Sequence, residues 1–169
     1  MELAPYIERL AINAKSIEQL IVGVDDAQAK WKPDADTWSI VEVMNHLYDT
    51  EYLDFKVRLD YILHKPNQDA PEIYPQQWVT ERAYNHRDLA SSVQNFLDER
   101  QKSLDWLGTL SSPNWDATMT RDWGTIRAGD MFSAWVAHDL LHLRQLVELH
   151  YAWTVKQVVP YQVNYAGDW

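Results

Sequence analysis

The chain has 169 residues, of which 46% are hydrophobic and 24% charged, and its formal net charge is −10. This composition is typical of one folded domain over residues 1–169 and not of a disordered chain. The negative charge disfavours nucleic acid and anionic membranes as partners, because both bind clustered Lys and Arg. The absence of cysteine excludes disulfides, thiolate metal ligands and a cysteine nucleophile.

The amino-terminal residues MELAPYIERL lack the basic segment and apolar stretch of a secretory signal. No apolar run reaches transmembrane length. We therefore expect a cytoplasmic protein without a membrane partner.

Two helices are predicted in the first part of the chain. Apolar residues from Leu3 to Val24 recur at alternating spacings of four and three, which predicts an amphipathic helix over 3–24. Ser39 and Glu42 form an S-x-x-E capping box, which predicts that a second helix begins at 39. That helix runs to residue 64, where Lys65 and a proline stop it, and its inward face carries His46.

The second part of the chain predicts two more helices. Residues 65–85 contain three prolines and no sustained period, which indicates a long loop. Helices follow over 88–107 and 128–152, with a tail at 153–169. The last helix is apolar on two sides, so one side meets the bundle and the other meets the tail or a second subunit. Without convincing alternating strands, the pattern predicts an all-α four-helix bundle.

The last predicted helix carries His138 and His142, four residues apart. At that spacing the two Cβ atoms lie about 5–6 Å apart. Two imidazoles can then share one cation, with metal–nitrogen distances of about 2.0–2.1 Å. His46 is the candidate third ligand, since it also lies on an apolar helix face. Such a pair alone often caps, stacks or forms hydrogen bonds without metal. Three buried imidazoles, however, are satisfied together by a shared cation.

Other polar residues near this pattern have two interpretations each. Gln145 is a core amide bonded to a neighbouring helix, or it orients a bound water or substrate. Glu51 is a general base or a partner of a metal ligand, or it forms a salt bridge on the helix flank. Asp139 is solvated or paired across the bundle. The remaining histidines are predicted at surface or capping positions: His64, His86 and His150.

Two segments of the chain resemble the DinB-like (DinB/YfiT) superfamily: WSIVEVMNHLYDTE at 38–51 and HDLLHLRQL at 138–146. They are similar to the family's entry to its second helix and to its H-x-x-x-H-x-x-Q signature. The resemblance implies a four-helix bundle in which His46, His138 and His142 bind a divalent metal, often nickel or zinc. It also implies a homodimer. Members include thiol-dependent S-transferases, a mycothiol-dependent isomerase and metal-dependent hydrolases.

The leading hypothesis is a metal-dependent enzyme that acts on a small molecule. Three neutral histidines leave a coordination position open for water in a hydrolase, or for a low-molecular-weight thiol cosubstrate in an S-transferase. The donor set also suits iron or manganese. The alternative is a non-catalytic dimeric bundle that binds a metal or small ligand.

The predicted loops contain five tryptophans, which either line an apolar pocket or plug the ends of the bundle. These are Trp31, Trp38, Trp78, Trp115 and Trp123.

Overall fold

The computed structural model describes residues 1–65, 68–122 and 124–167. Its helices are, in chain order, α1 (Ala4–Ile21), α2 (Asp26–Lys30), α3 (Ile40–Thr50), α4 (Lys56–His64), α5 (Pro75–Glu81), α6 (Leu89–Thr109) and α7 (Ala128–Gln157). Four long segments pack together: α1, α3 continued by α4, α6 and α7. The predicted four-helix bundle is confirmed.

The predicted start of the second long helix is also confirmed. The Ser39 hydroxyl accepts a hydrogen bond from the Glu42 backbone N–H at 3.4 Å, and the Glu42 carboxylate accepts one from the Ser39 backbone N–H at 2.8 Å. Two backbone donors that helix geometry would leave unpaired are thereby satisfied. This box fixes where α3 begins, and so the height at which His46 enters the bundle.

A π-helical turn, Glu51–Phe55, joins α3 to α4. The sequence predicts one uninterrupted α-helix over 39–64, so the extent is right but the regular winding is wrong. A π turn pairs residue i with i+5 and therefore holds one more residue than an α turn at that place. Hydrophobic spacing did not reveal this local change, since apolar residues continue on both sides of it.

The prediction of a structureless loop over 65–85 is wrong. Helix α5 occupies Pro75–Glu81, and a 3₁₀ turn occupies Tyr84–His86. Pro75 stands in the first turn of α5, where a missing backbone N–H does no harm. The helix is held by burial of Trp78 and Val79. A helix of two turns is too short to show the periodicity on which the prediction relied.

Two further departures lie at the two ends of α7. The loop before α7 contains an antiparallel hairpin of β1 (Thr118–Arg121) and β2 (Gly124–Arg127). Helix α7 ends at Gln157 and not at 152, so the tail begins later than predicted. The added turn is held by an edge-on contact between Trp153 and Trp31 at 5.3 Å and by the Lys156 ammonium over both rings.

The apolar core consists of two main clusters at different heights of the bundle. One includes Leu10, Phe55, Leu59, Leu107, Phe132 and Trp135. The other includes Ala14, Ile17, Ile40, Met44, Phe96 and Leu146. On every one of the four long segments, a buried polar residue lies between the two sets: Asn13, Glu51, Arg100 and Asp139. A polar layer therefore separates the two halves of the core.

The outer face of α7 keeps apolar residues at the surface. Leu140 is 51% exposed and Leu141 is 62% exposed. In the described part of the tail, Val159 and Tyr161 are also exposed. The described part of the tail, up to residue 167, therefore leaves this apolar surface uncovered.

No helix in the described ranges is both long and apolar enough to cross a bilayer.

Candidate metal centre

The structure brings together the three histidines that the sequence singles out. His46 lies on α3, and His138 and His142 lie one turn apart on α7. The Nε2 atom of His138 is 3.2 Å from that of His46 and 3.1 Å from that of His142. All three rings offer a nitrogen to the same small volume, and the ligand atoms lie within 4.8 Å of one another.

These separations fit donor atoms that share one cation. Two nitrogens, each about 2.0–2.1 Å from a metal, stand about 2.9 Å apart at a right angle and about 3.4 Å apart at a tetrahedral angle. The two measured Nε2–Nε2 distances fall between those limits. Imidazole donors suit zinc, nickel, copper and iron, so the residues present fit a divalent transition metal.

Hydrogen bonding alone does not satisfy the cluster. The Nε2 atom of His138 is close to two other Nε2 atoms. A ring nitrogen carries either one hydrogen or one lone pair, so it cannot bond fully to both neighbours at once. A cation would accept all three lone pairs together.

Burial keeps the three imidazoles neutral at pH 7. Desolvation lowers the pKa of His46 to about 3 and that of His138 to about 2, with His142 adding charge repulsion to both. Desolvation also lowers the pKa of His142, against a hydrogen bond from its ring to Gln145 and the nearby charge of Asp139. Neutral imidazoles keep the lone pairs that metal binding requires.

Gln145 fixes the orientation of one ring. Its side-chain oxygen lies 2.8 Å from Nδ1 of His142 and accepts the hydrogen from that atom. The hydrogen is thereby placed on Nδ1, and Nε2 faces the cluster with its lone pair free. The amide bonds to a residue of its own helix, so the predicted bond to a neighbouring helix is not the one formed, and the predicted orientation of a water or substrate stays a prediction. The His46 Nδ1 atom has no hydrogen-bond partner within the described ranges.

Aromatic rings enclose the cluster on two sides. The Trp38 ring lies 4.8 Å from that of His46 and stacks in parallel on His142 at 6.4 Å. Phe55, on the π turn, lies 4.9 Å from the ring of His138. An open cleft of about 450 Å³ leads to the site. It is lined by Asp36, Thr37, Trp38, His46, Gln76, His142 and Gln145.

Of the predicted pocket tryptophans, Trp38 lines this cleft. The others that the structure describes pack elsewhere. Trp78 is buried on α5, Trp31 contacts the end of α7, and Trp115 stacks on Phe132 at 5.3 Å. The fifth, Trp123, lies outside the described residues. Among the described tryptophans, therefore, more pack against other elements of the fold than line the cleft.

Glu51 lies in the polar layer and does not line the cleft. Its carboxylate is 2% exposed and accepts two hydrogen bonds from Arg100, both at 2.9 Å, and one from the Trp135 indole at 2.8 Å. A carboxylate enclosed in this way is not available to a substrate. The geometry supports the salt-bridge interpretation over the general base, although the salt bridge is central and not on the helix flank.

Sequence reasoning missed Arg100, a fully buried cation on α6. Its guanidinium binds Glu51, Asp139 and the Leu10 carbonyl oxygen, and Asn13 donates to Asp139 at 3.3 Å. One side chain therefore connects all four long helical segments. One feature of the sequence indicates this burial: Arg100 follows Phe96 by four residues and so lies on the otherwise apolar face of the helix.

The remaining candidates have structural partners or lie at the surface. Asp139 is paired across the bundle, as one of its two interpretations proposed. His64 contacts Asp60 at 2.8 Å, and His150 donates to the Leu20 carbonyl oxygen at 2.7 Å. His86 is exposed at the end of a 3₁₀ turn.

Comparison with known proteins supports the same architecture. The structure is similar to that of YfiT from Bacillus subtilis, described as a probable metal-dependent hydrolase with an unusual four-helix bundle topology. The TM-score is 0.79 at 15% sequence identity, over 90% of this chain and 88% of that chain. A search of curated proteins finds no match. The sequence model of the DinB superfamily matches residues 9–146, most of the chain, including all three clustered histidines. The chain therefore belongs to the DinB superfamily.

Proposed function

We propose that this protein is a metal-dependent enzyme that hydrolyses a small molecule, with the metal held by His46, His138 and His142. The observation that carries the proposal is the convergence of three neutral imidazole nitrogens beside an open cleft. The description of YfiT as a probable metal-dependent hydrolase favours hydrolysis as the first reaction to test.

Each residue around the cluster has a role in this proposal. When bound, a divalent metal with an open position polarises a carbonyl group and acidifies water. The three histidines hold that ion, and Gln145 keeps His142 in the tautomer that offers Nε2. Trp38 and Phe55 limit the access of bulk water to the rings. The cleft admits the substrate from the Trp38 side.

Nickel and zinc are the proposed metals; iron also accepts imidazole donors, whereas manganese, the fourth candidate, is more commonly held by oxygen donors. Thiol transfer is the second candidate reaction, because thiolate sulfur is also a zinc ligand and would occupy the same open position. The chain has no cysteine, so the thiol would be a cosubstrate.

The metal is tested by elemental analysis of protein purified without a histidine tag. We expect about one equivalent of nickel or zinc per chain, either as isolated or after addition of the metal. The His142→Ala variant should lose it with an unchanged helical circular dichroism spectrum. His64→Ala is the matched control, since His64 is an exposed helical histidine outside the cluster. Less than about a tenth of an equivalent in wild type after metal addition would contradict the proposal.

The reaction is tested with the metal-loaded protein. Ester and amide substrates are assayed beside conjugation of low-molecular-weight thiols to an electrophile. Hydrolysis that disappears in His142→Ala and survives in His64→Ala supports the proposed reaction. Conjugation alone would identify a transferase. A loaded protein that is inactive in both assays would support the non-catalytic binding alternative.

A further inference from the structure

The described lining of the cleft beside the histidine cluster contains a negatively charged side chain that no lysine or arginine balances. Its seven lining residues include no lysine and no arginine, and apart from the histidines the one ionisable side chain among them is Asp36. Within the described part of the chain, the Asp36 carboxylate has no ion pair and no hydrogen bond. It is exposed at the mouth of the cleft.

A neighbouring cleft of about 410 Å³ continues the same surface and shares Asp36, Trp38 and Gln76 with the first. It contains one lysine, Lys32, which is 2.9 Å from the buried Glu42 carboxylate. That pairing cancels the charge of the lysine. Among the described lining residues, the second cleft also contains His86, neither cleft has an unpaired lysine or arginine, and Asp36 is the unpaired carboxylate that both clefts share.

Trp38 adds a second feature suited to a cation. Its indole lines both clefts and lies two residues from Asp36. An extended chain advances by at most about 3.6 Å per residue, so the two Cα atoms are within about 7 Å of each other. A carboxylate beside an indole is a favourable environment for an ammonium group, which pairs with the first and is attracted to the ring of the second.

We infer that the substrate of this site is a small amine, which places its ammonium group at Asp36 and Trp38 and its reactive carbonyl at the histidine cluster. The inference rests on the proposed metal-dependent function and narrows it to one substrate class. Substrates with a carboxylate or phosphate at the same end meet an unpaired negative charge and no unpaired lysine or arginine in the described lining.

The test uses three hydroxamates, because a hydroxamate group chelates divalent metal ions. Their six-carbon chains are alike except at the far end: hexanohydroxamic acid is neutral, 6-aminohexanohydroxamic acid is cationic, and adipic acid monohydroxamate is anionic. Binding to the metal-loaded protein is measured by titration calorimetry. The variants are Asp36→Asn and Asp98→Asn. Asp98 is an exposed acid on α6 outside both clefts, so its variant controls for the attraction of cations to a chain of net charge −10.

We expect wild type to bind the amine about two- to fivefold more tightly than the neutral compound, as an exposed ion pair allows. The anionic compound should bind most weakly. Asp36→Asn should remove the preference for the amine, and Asp98→Asn should keep it. Equal affinities in wild type, or a preference that survives in Asp36→Asn, would overturn the inference. Failure of all three compounds to bind the metal-loaded protein would instead overturn the open metal site, and this inference with it.

Discussion

The guanidinium of Arg100 donates two hydrogen bonds to the Asp139 carboxylate, at 2.7 and 2.8 Å, and Asp139 directly follows His138 in the chain. The same guanidinium binds Glu51, five residues after His46. A single buried ion cluster therefore holds the backbone of both helices that carry the histidines. Two carboxylates against one guanidinium leave this layer with a net negative charge, opposite in sign to a metal ion.

Removal of the guanidinium should destabilise the fold strongly. Arg100→Met leaves Glu51 and Asp139 buried and uncompensated, and loss of one partner of a buried ion pair costs about 3–5 kcal/mol of unfolding free energy. Urea unfolding followed by circular dichroism measures this change. The matched control is the triple variant Glu51→Gln, Arg100→Met, Asp139→Asn, which buries no charge and should recover part of the loss. A single variant within about 0.5 kcal/mol of wild type would contradict the account.

Loss of the Gln145 side chain should weaken metal binding without removing a ligand. Gln145→Ala deletes the oxygen that accepts the Nδ1 hydrogen of His142, so the ring no longer has one fixed tautomer. Loss of such an orienting partner typically lowers metal affinity about 10–100-fold. Competition with a chromophoric chelator measures the affinity.

Gln145→Glu is the informative companion, since it retains an oxygen that accepts the same hydrogen. It should bind metal more tightly than Gln145→Ala. Equal affinity of wild type and Gln145→Ala would show that Gln145 does not orient His142.

The stability of the metal-free protein should fall as the pH falls below about 6.5, the ordinary pKa of histidine in an unfolded chain. Burial lowers the folded pKa of His46 to about 3 and that of His138 to about 2. The unfolded state therefore takes up protons first, and the loss continues down to these folded values. At pH 5 each of the two should account for about 2 kcal/mol of lost unfolding free energy.

Urea unfolding between pH 7.5 and 5 in the presence of a chelator checks this slope. His46→Gln should reduce it, because one of the buried imidazoles is absent. His86→Gln is the control and should change the slope less than His46→Gln does, because the His86 side chain is exposed and has no hydrogen bond or ion pair in the described part of the chain. A slope that is the same in wild type and His46→Gln would contradict the assignment.

The exposed apolar face of α7 leads us to propose a homodimer. Leu140 and Leu141 are exposed over more than half of their surface, and the described tail does not cover them. Light scattering coupled to size-exclusion chromatography should give a dimer for wild type and a monomer for Leu140→Lys. Val159→Lys, at an exposed apolar site in the tail, should remain dimeric. A monomeric wild type would refute the proposal.

The sequence predicted those features that depend on local chemistry or on regular spacing. The Ser39–Glu42 box located the start of α3 because capping is a local interaction. The seven-residue pattern in α1 and the pair of histidines in α7 placed side chains on the correct faces. From these patterns the sequence predicted that His46, His138 and His142 lie close together, without knowledge of how the helices pack.

Features that depend on contacts between distant segments were not predicted. Arg100 stands within DERQK, a run that resembles a solvated helix face, and its burial depends on partners from three other helices. The extension of α7 depends on Trp31, more than a hundred residues earlier in the chain. For Glu51 the salt bridge was one of the predicted alternatives, but its central position was not predicted, because its partner Arg100 comes from a distant helix.

The π turn also determines which length changes this segment can tolerate. Because a π turn holds one more residue than an α turn, deletion of one residue within Glu51–Phe55 would convert it to a regular α turn and leave α3 and α4 in nearly the same rotation. His46 and Leu59 would then keep their faces, and the loss would fall on the side chains of the turn itself, Glu51 and Phe55. A deletion of one residue elsewhere in α3 or α4 would instead turn one helix by about 100° against the other. Homologues that are one residue shorter within this turn are therefore expected to keep both the bundle and the histidine trio.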